Sequence, residues 1–145
     1  MKALSFKGIL IGGIVDVGLS FVLGIPLSVY VILKVASLHL PKAQIHDAIS
    51  GINREMPIFL GQMVLGIVCS ILGGYLAARI AKHDEMLNGA MSSWFCLLVA
   101  FYALSHVGPV FSPLVSALTT LAGPAGATLG GYIRLRQIRS GQMAE

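Results

Sequence analysis

Charged side chains are scarce in this sequence, since Asp, Glu, Lys and Arg together make up only 11% of its 145 residues. A soluble globular domain carries about 25% charged residues, so the composition excludes an ordinary soluble domain. Hydrophobic residues make up 56% of the chain instead. The mean hydropathy is correspondingly high, at +0.84. These values predict a membrane protein.

Motifs that carry catalysis are also missing. The chain contains no recognisable nucleophile motif and no glycine-rich phosphate loop, so we predict no enzymatic activity and no cofactor. A net charge of +4 would suit nucleic acid. The basic residues flank apolar segments, however, and do not alternate with aromatic residues on a polar face, so we expect no nucleic-acid partner. Cys69 and Cys96 fall inside apolar segments, where a thiol usually serves as a small packing group.

Four apolar stretches are each long enough to cross ~30 Å of hydrocarbon at ~1.5 Å per residue. They occupy nearly the whole chain and leave no room for a soluble catalytic domain, so residues 1–145 are predicted to form a single domain. The fold class that follows is an all-α membrane protein, a four-transmembrane-helix bundle. Its predicted spans are roughly residues 8–33, 57–78, 89–107 and 114–133.

The basic residues are distributed unevenly around these spans. If both termini lie in the cytoplasm, seven of the ten Lys and Arg residues fall on the cytoplasmic side, and only Lys34, Lys42 and Arg54 lie outside. Cytoplasmic loops carry such an excess of positive charge. The bias therefore predicts a multi-pass protein with cytoplasmic N- and C-termini.

The segment 43–56, between the first two predicted spans, is too polar to cross a membrane. Ile45, Ile49, Ile52 and Met56 recur in it at helical spacing, and polar residues take the opposite face. This pattern predicts an outer interfacial amphipathic helix between spans 1 and 2. Such a helix either rests on the membrane surface or docks a partner protein.

A glycine pair followed by tyrosine and a basic residue occurs twice, at 72–79 and 129–136, with five identities in eight positions. One explanation is a parallel two-hairpin repeat about an axis along the membrane normal. The other is that any helix leaving a membrane toward the cytoplasm acquires such residues.

The first copy, 73–79, reads Gly-Gly-Tyr-Leu-Ala-Ala-Arg and is followed by Asn-Gly-Ala at 88–90. It resembles a Gly-Gly-Tyr-x-Ala-Ala-Arg signature in small four-span bacterial inner-membrane proteins of unknown function. The resemblance implies location in the bacterial cytoplasmic (inner) membrane and this order of hairpins. It implies no activity.

Small residues recur every four positions along the first two spans. In lipid, burial of apolar surface does not by itself hold helices together. Stripes of small residues favour helix association instead, because they let the helix backbones approach closely. We therefore predict that the stripe on the second span, which contains Ser70, packs against the stripe on the first. The glycines predicted to lie at helix contacts are Gly8, Gly12, Gly24, Gly66, Gly74, Gly126 and Gly130.

Asp16 is predicted to lie near the middle of the bilayer, roughly 12 Å from the cytoplasmic end of the first span. An ionised carboxylate at that depth costs ~2.5–3.5 kcal/mol. We therefore expect Asp16 to face the bundle, where it is protonated, paired or hydrated, with Ser70 at similar depth and Ser20 one turn away. Asp16, Ser20 and Ser70 form the candidate proton or substrate site. The alternative is a neutral aspartic acid that only fixes helix packing.

Several potential metal ligands lie on the predicted outer side. They do not follow a metal-binding spacing, since no His-x-x-x-His pair occurs and Pro41 separates two of the histidines, so we predict no metal site. The residues concerned are His39, His46, Asp47, Glu55 and His106.

Two functions follow from these patterns. The leading interpretation is a non-enzymatic accessory or interaction subunit, embedded in the lipid bilayer as a homo-oligomer or part of a larger membrane complex. The alternative is a proton-coupled small-molecule transporter that uses the intramembrane carboxylate of Asp16. An accessory protein should tolerate Asp16→Asn, whereas a transporter should lose pH-dependent transport.

Overall fold

The computed structural model describes residues 4–107 and 112–142, which form six helices and contain no strand. The all-helical prediction is confirmed. The helices are α1 (Phe6–Ser37), α2 (Lys42–Asn53), α3 (Met56–Ala81), α4 (Glu85–Ser92), α5 (Trp94–Val107) and α6 (Pro113–Gln142).

Within the described residues, two helices, α1 and α3, are long and apolar enough to span a membrane. They contain 32 and 26 residues. At the rise of an α-helix they are roughly 48 and 39 Å long. Large apolar side chains on both stay exposed, among them Phe21 at 70% and Val64 at 60%. In water such surfaces would be costly, so both helices have the surface expected of lipid-facing segments.

The predicted third span, 89–107, is not one continuous helix, because the chain turns at Ser93 between α4 and α5. The Ser92 hydroxyl donates to the Gly89 carbonyl, and the Ser93 hydroxyl donates to the Ala90 carbonyl, each at 2.7 Å. The Ser93 N–H bonds to that same Ala90 carbonyl, three residues back, which tightens the last turn of α4. Two adjacent serines thus divide the predicted span.

The predicted fourth span, 114–133, lies inside α6, which continues to Gln142. Pro124 lies within this helix and cannot donate a backbone hydrogen bond. The Thr128 hydroxyl donates to the Pro124 carbonyl at 2.7 Å.

Helix α2 corresponds to the predicted amphipathic helix and ends at Asn53, before Met56, which begins α3. Its apolar face packs on the chain itself. Buried Ile52 belongs to a cluster in which α2 meets the end of α1 and the first turn of α3, while the other apolar residues of this face stay partly exposed. The cluster contains Val31, Val35, Ile52 and Ile58, with Leu27, Ile45, Ala48 and Ile49 packed against it.

The relative directions of the long helices follow from their closest contacts. Along α1, Gly8 faces Ala77 and Gly12 faces Gly73, so α1 and α3 are antiparallel. Along α6, Gly126 faces Ile67 and the next glycine along the helix face, Gly130, faces Ile71, so α3 and α6 are parallel. Both explanations of the duplicated glycine motif predict this parallel direction, and the repeat stays a prediction.

Candidate functional site

Asp16 is completely buried where three helices meet. The Ser70 hydroxyl on α3 donates to its carboxylate, at 3.0 Å from Oδ2 and 3.2 Å from Oδ1. The Cys96 thiol on α5 donates to Oδ2 at 3.1 Å. Over residues 4–107 and 112–142, the acid–base contacts within 4.0 Å are Lys34 with Glu55 and the imidazole of His83 with Asp84, so Asp16 has no basic partner there. The site is a buried acid held by two neutral donors.

On one side of Asp16 the helices pack so closely that glycine is required; we call this region, from Asp16 to Gly8 on α1, the tight end. A methyl group added at Gly8 would lie 2.8 Å from the Ala77 carbonyl oxygen, and one at Gly12 would lie 2.6 Å from the Gly73 carbonyl oxygen. Real Cβ atoms do not approach so closely. The tight end therefore leaves no passage between α1 and α3.

The same close packing joins the other helices of the tight end. A methyl group at Gly74 would overlap the Ala127 carbonyl on α6, and one at Gly89 would lie 2.9 Å from the same oxygen. Asn88, which is fully buried, accepts the Ser5 N–H through its side-chain oxygen at 2.9 Å and so ties α4 to the start of α1.

On the other side of Asp16 the helices separate and leave a partly open cavity of about 340 Å³; we call this region, from Asp16 to α2, the open end. On α3 the lining runs from Phe59 to Ser70, a distance of about 16 Å along the helix. Asp16 and Ser70 contribute to the wall where this cavity meets the tight end. The lining residues from the four helices are Asp16, Ser20, Phe59, Gln62, Met63, Gly66, Ile67, Ser70, Cys96, Ala100, Thr119, Thr120, Ala122 and Gly123.

The three residues of the predicted site, Asp16, Ser20 and Ser70, all line this cavity. For Cys96 the sequence predicts only a packing role. In the structure its thiol contacts the Asp16 carboxylate directly. The contact could have been predicted from the position of Cys96 near the middle of a predicted span, at the same depth as Asp16. Polar side chains farther along the cavity were also missed, because single hydroxyls and amides in apolar segments are common. They are Gln62, Thr119 and Thr120.

The predicted packing glycines divide into two groups. At Gly24 and Gly66 an added methyl group would meet nothing within 4 Å, so these two lie outside the close helix contacts. The register on α3 also differs from the predicted stripe, because Gly73 faces α1 whereas Gly74 faces α6. The other five predicted packing glycines lie at close helix contacts. The least close is Gly126, whose Cβ position is 3.2 Å from the Ile67 carbonyl oxygen. The five are Gly8, Gly12, Gly74, Gly126 and Gly130.

The potential metal ligands do not converge in the described part of the chain, where no group of three His, Cys, Asp or Glu residues could hold a metal ion. Glu55 instead pairs with Lys34 at 2.7 Å. His39 forms a hydrogen bond with the Ser37 carbonyl through Nδ1 at 2.9 Å. The side chain of His106 lies outside the described residues.

Comparison with known proteins finds no match for this chain, whether among family models, curated proteins or solved structures. Function is therefore argued from the geometry around Asp16.

Proposed function

We propose that the chain is a multi-pass protein of the bacterial inner membrane with both termini in the cytoplasm. Its four crossings would be α1, α3, the α4–α5 pair and α6. Support comes from the two long apolar helices, from their exposed apolar side chains and from the excess of basic residues on one side. In this arrangement the tight end faces the cytoplasm and α2 lies outside.

Within that membrane, we propose that the protein is a proton-coupled small-molecule transporter whose coupling group is Asp16. One observation carries this proposal: a fully buried carboxylate without a basic partner lies in the wall of a cavity between four helices. A carboxyl that served only to fix packing would need no cavity beside it. The cavity supports the transporter, which from the sequence alone ranks second to the accessory role.

As the coupling group, Asp16 would bind either a proton or the solute, and one would replace the other. In the charged state, the Ser70 hydroxyl and the Cys96 thiol stabilise the carboxylate by donating to it. Neither donor can neutralise its charge, so the charged state retains affinity for a proton or a cation. Transfer across the membrane further requires a second conformation, in which the tight end separates and the cavity closes.

A second candidate function, the accessory subunit, also has an observation in its favour. Gly18 and Gly24 on α1 each have open space where a side chain would lie. Small residues on the surface of a membrane helix allow another helix to approach closely. An accessory protein should therefore co-purify with a partner of fixed stoichiometry in mild detergent and should tolerate Asp16→Asn.

Transport can be tested in proteoliposomes that contain a fluorescent pH indicator. Small amines, carboxylates and sugars are added outside in turn, and the internal pH is recorded. We expect one class of solute to drive proton movement in the unmodified protein but not in the Asp16→Asn variant. Asp47→Asn is the matched control, because Asp47 is an exposed carboxylate on α2, away from the cavity. If no class moves protons and a stoichiometric partner is recovered, the accessory function replaces the transporter.

A further inference from the structure

Two threonine hydroxyls in the cavity wall are placed to accept hydrogen bonds. The hydroxyl of Thr119 already donates to the Val115 and Ser116 carbonyls, each at 3.0 Å, and that of Thr120 donates to the Ser116 carbonyl at 2.8 Å. Each hydroxyl oxygen keeps lone pairs with which it can still accept. A ligand beside these threonines must therefore supply the hydrogen atoms.

The two ends of the cavity also offer acceptors. Next to Asp16, the Ser70 hydroxyl and the Cys96 thiol are committed to the carboxylate, whose remaining lone pairs can only accept. Toward α2, the Gln62 side-chain nitrogen donates one hydrogen to the Asn53 side-chain oxygen at 3.1 Å, so its own oxygen can accept and its second N–H can still donate.

The acceptors are spaced along a narrow path. Gly123 faces Ser70, its Cβ position lying 3.7 Å from the Ser70 hydroxyl oxygen. Thr119 and Thr120 lie about one helical turn from Gly123, or about 5 Å, and Gln62 lies about 12 Å from Ser70 along α3. Apolar side chains, including Met63 and Ile67, line the wall between them. A linear ligand with an apolar middle and N–H groups at both ends matches this order.

We propose that the solute bound beside Asp16 is a linear aliphatic diamine. One ammonium group pairs with the Asp16 carboxylate, and the second donates to Thr119 and Thr120. A quaternary ammonium carries the charge but has no N–H group, and a diol has donors but no charge. This proposal rests on the proposed function, since it names the substrate class of the transporter.

The test is calorimetric titration of the full chain in lipid nanodiscs with four ligands: diaminobutane, butylamine, tetramethylammonium and butanediol. We expect diaminobutane to bind at least tenfold more tightly than tetramethylammonium or butanediol, a ratio of about ten being worth 1.4 kcal/mol. Asp16→Asn should weaken diaminobutane at least about tenfold, because a buried charge pair is lost. Asp47→Asn should leave the affinity unchanged.

Thr120→Val keeps the proposal testable if the Asp16 variant fails to fold. Valine has nearly the same shape as threonine but accepts no hydrogen bond, so it should weaken diaminobutane about threefold and leave butylamine unaffected. Equal affinity for tetramethylammonium or butanediol, or equal loss for both amines in Thr120→Val, would overturn the diamine assignment.

The two proposals can fail separately. Diamine binding at Asp16 without any coupled proton movement in proteoliposomes would contradict the transporter proposal but would still support the diamine as the ligand class. Proton-coupled movement of a carboxylate or sugar, with no amine binding, would do the reverse.

Discussion

The tight end and the open end are built from the same helices yet pack in opposite ways. Gly12 on α1 touches the backbone of α3, whereas Gly24, three turns farther along the same helix, has nothing within 4 Å. On α3, Gly73 and Gly74 contact two different helices, and Gly66 contacts none at this distance. The presence of glycine alone therefore does not determine where helices meet.

The boundary between the two ends falls at Asp16. A methyl group at Gly73 would lie 2.7 Å from the Asp16 Cβ, so the backbone beside Asp16 still belongs to the tight end. Asp16 is, by contrast, also one of the residues that line the cavity. The helices therefore close on one side of this buried acid and leave open space on the other side only.

The largest effect that the comparison predicts is on stability. Gly74→Ala should destabilise the fold by about 1–3 kcal/mol, because the new methyl group would overlap the Ala127 carbonyl. Gly66→Ala, on the same helix but at the open end, should be neutral or should stabilise by up to ~1 kcal/mol, since alanine favours helix over glycine. Unfolding in mixed detergent micelles measures both. Equal costs at the two positions would show that the distinction between the two ends is wrong.

A second prediction concerns the hydroxyl donor at the boundary. Ser70→Ala should cost about 1.5–3 kcal/mol if Asp16 is charged, because the carboxylate loses its donor on α3 while it stays buried. Ser20→Ala, which removes a hydroxyl from the same cavity, should stay within about 0.5 kcal/mol. The same unfolding assay compares the two. No change in stability for Ser70→Ala would mean that water in the cavity already donates hydrogen bonds to the Asp16 carboxylate.

The smallest effect should come from the ion pair that links α1 to the residue preceding α3. Lys34 and Glu55 lie 2.7 Å apart, but their side chains are 34% and 44% exposed. An exposed pair contributes little to stability, so Glu55→Gln should lower it only slightly, and less at high salt. Unfolding measured at two salt concentrations tests this. A loss that salt does not reduce would indicate that Glu55 acts through something other than this pair.

Much of the helical architecture could be predicted from the sequence, because long apolar runs and a helical period leave few alternatives. The segment around Ile45 and Ile49 was correctly assigned to a helix, and Asp16 was correctly predicted to lie beside Ser70. The break at Ser93 was not predicted, because serine inside an apolar helix usually bonds back to its own helix without ending it.

The cavity could not be predicted, since it depends on how the helices diverge. The spacing of small residues predicted the contact face of α3 to within one residue but did not distinguish Gly73 from Gly74. These two positions point in directions about 100° apart in a helix of 3.6 residues per turn. The role of Cys96 depended on that same geometry, because its sulfur reaches Asp16 only when α5 packs beside α1.

The most direct test of the central claim, that the buried Asp16 carries a negative charge next to the cavity, uses the native cysteines. Cys96 lines the cavity, whereas Cys69 is fully buried and serves as an internal control. Protein in lipid is treated with matched cationic and anionic methanethiosulfonate reagents, and labelling of each cysteine is followed by mass spectrometry.

We predict that Cys96 reacts at least tenfold faster with the cation than with the anion, that Asp16→Asn removes this preference, and that Cys69 stays unmodified. A tenfold preference corresponds to about 1.4 kcal/mol of interaction with the charge. Equal rates for the two reagents, or a preference that survives Asp16→Asn, would contradict the account.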